Sequence, residues 1–139
     1  MTRIDQVPSR SNDFGVTWTQ SSEAGYGPYN NLVASYQGDT MYMTRNGDNP
    51  AIMRSTDEGN NWRAFQDFPV DPVRFVLLET DHGGRSVYAA TIESSAGGFI
   101  FASSDRGETW HVMLEPGQKF YHGIYAQNWG DRAFFTAVD

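Results

Sequence analysis

Ser103-Ser104-Asp105-Arg106-Gly107-Glu108-Thr109-Trp110 decides how this chain is read, because it occurs three times. Ser11-Asn12-Asp13-Phe14-Gly15-Val16-Thr17-Trp18 and Ser55-Thr56-Asp57-Glu58-Gly59-Asn60-Asn61-Trp62 repeat it, and all three follow Ser-x-Asp-x-Gly-x-[Thr/Asn]-Trp. The octet has the chemistry of a tight β-hairpin turn. Its Asp carboxylate accepts hydrogen bonds from turn N–H groups, and its Gly takes the positive φ that side chains resist. The Trp, at the entry to the next strand, is placed to pack on a neighbouring sheet. Asn61, standing where the other two copies have Thr, is the single departure.

These residues resemble the Asp-box, or bacterial neuraminidase repeat, of sialidases, sortilin-type receptors and photosystem assembly factors. The resemblance implies a turn joining the third and fourth strands of a β-propeller blade. Ser11, Asp13, Gly15, Thr17, Trp18, Ser55, Asp57, Gly59, Trp62, Ser103, Asp105, Gly107, Thr109 and Trp110 are then structural residues. It implies little about activity, since enzymes and non-enzymes of the family share the box.

Spacing extends the repeat to the whole chain. Asp13 to Asp57 is 44 residues and Asp57 to Asp105 is 48; the 34 residues after Asp105 and the 13 up to Asp13 make a third interval of 47. The chain reads as three blades on a circle cut once, with complete blades at about 31–66 and 73–115 and one blade split between the N- and C-termini. First strands are expected at Leu32–Gln37, Val73–Glu79 and Gly123–Gln127. Second strands are expected at Thr40–Arg45, Ser86–Ile92 and Ala133–Val138, and third strands at Ala51–Ser55, Phe99–Ser103 and Val7–Ser11. Fourth strands follow each box, at Thr17–Gln20, Asn61–Phe65 and Thr109–Leu114. Turn signals at Gly38-Asp39, Gly83-Gly84 and Gly130-Asp131 separate first from second strands. No segment carries a helical period, and 14 Gly with seven Tyr, nine Phe and four Trp agree with an all-β chain.

Propellers have about four to eight blades, so a three-blade arc leaves two unpaired edges. Two copies give six blades, with the C-terminal strands of each meeting the N-terminal strands of the other. The expectation is a homodimeric six-bladed ring; three copies would make nine blades, outside the usual range. A starting Met and complementary half-blades favour this over a fragment of a longer propeller.

The 139 residues include no cysteine, which removes disulfides, zinc–thiolate sites and thiol nucleophiles. A formal charge of −7 disfavours nucleic acid and anionic membrane surfaces as partners. No signal-type segment and no span of roughly 18–20 apolar residues occurs, so the expectation is a soluble protein, cytoplasmic or associated with a virus particle.

The sialidase resemblance also implies what catalysis would need: an arginine triad, a Tyr/Glu nucleophile pair and an Asp acid/base. Arginines stand at 3, 10, 45, 54, 63, 74, 85, 106 and 132, and Arg3-Ile4 matches two positions of the family's Arg-Ile-Pro motif. A sialidase site is asymmetric within one long ring, whereas a homodimer presents every residue twice. No catalytic residue is therefore assigned, and Arg10 and Arg54, each directly before a box Ser, read as repeat-related surface positions. His82, His111 and His122 are isolated, so no metal site and no cofactor is expected.

Binding remains. The loop from Glu23 to Asn31, with Tyr26 and Tyr29, and the segment Phe120-Tyr121-His122 are rich in aromatics, and Trp129 occupies a hairpin turn. Aromatic rings beside amides suit glycans, and they equally suit a protein partner. The sequence thus points to a non-catalytic binding or scaffolding module. Its partners would be a second copy of itself and either a glycan, slightly favoured, or another protein, as in a virus-particle decoration or tail component; a sialidase-like hydrolase ranks last.

Overall fold

The computed structural model describes residues 7–21, 24, 27–70, 74–91, 98–114, 120–127 and 132–138. Twelve strands are found among them. β1 (Ser9–Arg10) and β2 (Thr19–Gln20) form a two-stranded sheet. β3 (Tyr29–Ala34), β4 (Met41–Arg45), β5 (Ala51–Ser55) and β6 (Arg63–Phe65) form a four-stranded antiparallel sheet in chain order. β7 (Phe75–Thr80), β8 (Val87–Thr91), β9 (Ile100–Ser103) and β10 (His111–Leu114) form a second one, and β11 (Phe120–Ala126) pairs with β12 (Ala133–Val138). The protein is all-β among the described residues, and all four sheets are open.

The sheets stack face to face in chain order. Tyr42 and Ile52, on one face of the β3–β6 sheet, share a core with Leu78, Val87, Ala89, Phe101 and Trp110 of the β7–β10 sheet. The opposite face of the β7–β10 sheet places Tyr88 and Ala102 against Ile124, Ala133 and Phe135 of the β11–β12 hairpin. Strand β8 is therefore covered on both sides and buried along its length, which explains why it lacks the apolar–polar alternation of a half-exposed strand. Burial of one aromatic ring such as Phe101 contributes roughly 1.5–3 kcal/mol.

Polar contacts fasten the two larger sheets. The buried Asn46 side chain donates to the Phe75 carbonyl at 3.0 Å and accepts from the Phe75 amide at 2.8 Å. The Tyr42 hydroxyl donates to the Gly84 carbonyl at 2.6 Å, and burial raises its pKa. Gly84 has φ +66, and a Cβ there would stand 2.9 Å from Thr40 Cβ, so both conformation and space require glycine.

Two differences from the sequence reading have physical causes. The first strand of the β3–β6 sheet runs from Tyr29 to Ala34 rather than from Leu32 to Gln37. Ser35 begins a turn instead: its carbonyl accepts from the Gly38 amide at 2.9 Å, and its hydroxyl donates to Asp39 at 2.6 Å. The fourth strands begin one residue after each box Trp, at Thr19, Arg63 and His111, because the turn holds the groups before them.

Candidate functional site

Each box closes on itself by the same hydrogen bonds. In the first, the Ser11 hydroxyl donates to Asp13 Oδ1 at 2.7 Å and accepts from the Gly15 amide at 2.7 Å. Asp13 also accepts from the Thr17 amide at 2.8 Å and the Thr17 hydroxyl at 2.6 Å. The Trp18 indole donates to the Gly15 carbonyl at 3.0 Å. Ser103, Asp105, Gly107, Thr109 and Trp110 repeat this set. So do Ser55, Asp57, Gly59 and Trp62, with the Asn61 side-chain amide donating to Asp57 Oδ2 at 2.6 Å in place of the threonine hydroxyl.

The turn places two successive residues at positive φ: Phe14 and Gly15 at 57° and 85°, Glu58 and Gly59 at 58° and 81°, Arg106 and Gly107 at 64° and 83°. That is the signature of a type I′ hairpin turn. The glycine was legible in the sequence; the strained residue before it was not.

Donors converging on the box carboxylates hold them ionised. Hydroxyl and amide bonds from Thr17, then the Ser11 hydroxyl, bring Asp13 down to about 2. Those of Thr109 bring Asp105 to about 2, and the Asn61 amide and side chain lower Asp57. These carboxylates are hydrogen-bond acceptors of the turn, and their accepting atoms are engaged there.

The arginines before the boxes perform a repeated task that sequence reasoning missed. Arg54 donates to the Arg106 carbonyl at 2.6 Å, and Arg10 donates to the Glu58 carbonyl at 3.3 Å. Each reaches from its own sheet to the positive-φ residue of the next box. Arg54 and Arg63 also converge on Glu108, at 2.8 and 3.2 Å, with both guanidinium groups over the Phe65 ring.

A cleft of about 790 Å³ lies between the β1–β2 hairpin and the β3–β6 sheet. Leu32, Met41, Met43 and Trp62 line it from the β3–β6 side, and Arg10, Ser11, Trp18 and Gln20 line it from the β1–β2 side. Five box residues thus line it: Ser11, Trp18, Glu58, Gly59 and Trp62.

Of the aromatics expected to contact a ligand, Tyr29 lines this cleft, but its hydroxyl donates to the Ala24 carbonyl and its ring is partly buried. Phe120, Tyr121 and His122 belong to β11 by their backbone, and their side chains lie outside the described residues. Tyr26 and Trp129 also lie outside them. His82 is exposed and stacks on Tyr36 at 4.4 Å between ring centroids. Among the described residues, no group of three or more His, Asp or Glu side chains could hold a metal ion, and no helix is long and apolar enough to cross a membrane.

No family model, curated protein or solved structure matches this chain.

Proposed function

We propose that the chain is a non-catalytic binding or scaffolding module of Asp-box β-propeller type, three blades per chain, completing a six-bladed ring as a homodimer. One observation supports the reading: among the described residues, two four-stranded sheets stand in chain order between two two-stranded ones, β1–β2 and β11–β12, and these two pairs together would make a third sheet of the same size. The three box turns recur at the same strand junction, before β2, β6 and β10, which fits three copies of one blade.

The chemistry of the described residues favours a surface over a catalyst. All three box carboxylates are committed to their turns, and Arg54 and Arg63 already share Glu108, so these two do not form a vacant cradle for a substrate carboxylate. With the Tyr29 hydroxyl also engaged, the scaffolding role leads, acting through self-assembly and display of repeated loops. A glycan-binding role is the second reading, favoured by the exposed Trp18 ring near Arg10 and Gln20.

A glycan array probed with the purified protein, beside a fluorogenic sialoside assay, tests this. Blanks on both fit the scaffold. A reproducible glycan hit moves the assignment to a lectin-like module, and turnover of the sialoside overturns the non-catalytic reading.

A further inference from the structure

Resting on the blade reading above, we infer that the cleft beside β1 is the seat of the β11–β12 hairpin of a second copy, and that β12 joins, in a defined register, the edge of β1 that carries no partner strand among the described residues.

The stacked sheets supply the template. The first hairpin of each unit closes by one bond: Ser35 to the Thr40 carbonyl at 2.8 Å, Asp81 to Ser86 at 3.0 Å, Gln127 to Arg132 at 2.9 Å. Counting from that bond, Tyr42, Tyr88 and Phe134 are equivalent. Tyr42 is 0% exposed against the β7–β10 sheet and Tyr88 is 6% exposed against the β11–β12 hairpin, whereas Phe134 is 60% exposed. Its cross-strand neighbour Tyr125 lies bare beside it, while the equivalent of Tyr125 in the first unit, Val33, packs into the core.

The receiving face shows the converse. Leu78, covered by the sheet before it, is 5% exposed; Leu32, at the same position one unit earlier, is 64% exposed in the cleft wall beside Met41 and Met43. The chain thus carries a donor face at one end and an acceptor face at the other. Its own sheets pack donor face to acceptor face.

Backbone polarity allows the edges to join. The Pro8 carbonyl accepts from the Ser21 amide at 2.8 Å, so the main chain of Pro8 faces β2. In an antiparallel ladder the main-chain groups of successive residues point to alternate sides, so those of Val7, Ser9 and Ser11 face the edge away from β2. Pro8 therefore removes no donor from that edge, and a proline that would otherwise blunt it does not. Met41 pairs with Ser55 and Val87 with Ser103. The same register sets Ala133 opposite Ser11 and Phe134 opposite Arg10. On the far side of the joint, Trp18, 65% exposed, would meet the second copy's β7–β10 sheet near Met113, 45% exposed, as Trp110 meets the β3–β6 side in the existing core.

Because the chain lacks cysteine, the register can be read by cross-linking. Arg10→Cys and Phe134→Cys are made as separate variants, co-refolded and oxidised. Opposite residues of a non-hydrogen-bonded pair stand close enough for a disulfide. The expected result is a covalent heterodimer, with neither variant cross-linking alone, and loss of the cross-link when Thr136→Cys replaces Phe134→Cys. Phe134→Asp, at an exposed position that leaves the monomer core intact, is expected to halve the sedimentation mass to 15.6 kDa with an unchanged β-sheet spectrum. A folded wild-type monomer overturns the inference, as does a mass of three copies. An intrachain bridge in a chain carrying both Arg10→Cys and Phe134→Cys also overturns it, since the chain would then close on itself. A folded monomer that still binds on the glycan array would sink the seat but not the binding role; a cross-linked dimer that turns over the sialoside would do the reverse.

Discussion

At the scale of single residues, the box turn combines strain with compensation. Phe14 is fully exposed at φ 57°, where a side chain costs about 1–2 kcal/mol relative to the right-handed region. Phe14→Gly should therefore stabilise the chain by about 1 kcal/mol, raising Tm by about 3–5 °C in a thermal melt. Glu58 and Arg106 share the strain, but their carbonyls receive Arg10 and Arg54, so substitution there disturbs a second contact. The box carboxylates set the acid limit. Their folded-state pKa values lie below the ordinary carboxylate value of about 3.9, so their contribution is fully present above that value and is lost as pH falls through the folded pKa. Tm should be flat above about pH 5 and fall between about pH 4 and pH 2; a melt unchanged down to pH 2 would contradict this.

At the scale of elements, the sequence showed most where one residue type is obligatory. Box glycines, hairpin turns and the apolar second and third strands were legible, and Ala51–Ser55 and Ala133–Val138 were located to the residue. The β3 boundary was not, because Tyr36 looks like a strand aromatic but sits in a turn and stacks on His82. The contacts between sheets were also invisible. Asn46, Asn31 and the two arginines before the boxes act on main-chain atoms more than 25 positions away, and nothing in their local sequence marks the target. Of these fasteners Tyr42 gives the cleanest test. Tyr42→Phe keeps the ring but strands the buried Gly84 carbonyl, at a cost of about 1–3 kcal/mol in denaturant unfolding. An unchanged midpoint would mean that the bond contributes nothing net.

At the scale of the whole molecule, the net charge of −7 bears on assembly. Two such chains repel, and screening shortens the reach of that repulsion to about 10 Å at 0.1 M salt. If two copies join through the apolar faces proposed above, association should tighten as salt rises. Sedimentation at low and moderate ionic strength should show the dimer fraction increasing. A dimer that weakens with salt would point instead to a joint held by ion pairs.

Three tryptophans occupy hydrogen-bonded turns of one design yet lie at three depths: Trp18 in solvent, Trp62 partly covered, Trp110 buried. That makes them a set of matched optical probes whose indole donors share one bond and differ in surroundings. If a second copy docks as proposed, the emission of Trp18 should move to the blue while that of Trp110 stays in place. The molecule thus carries its own reporter of how far its stack has been continued, with no label added.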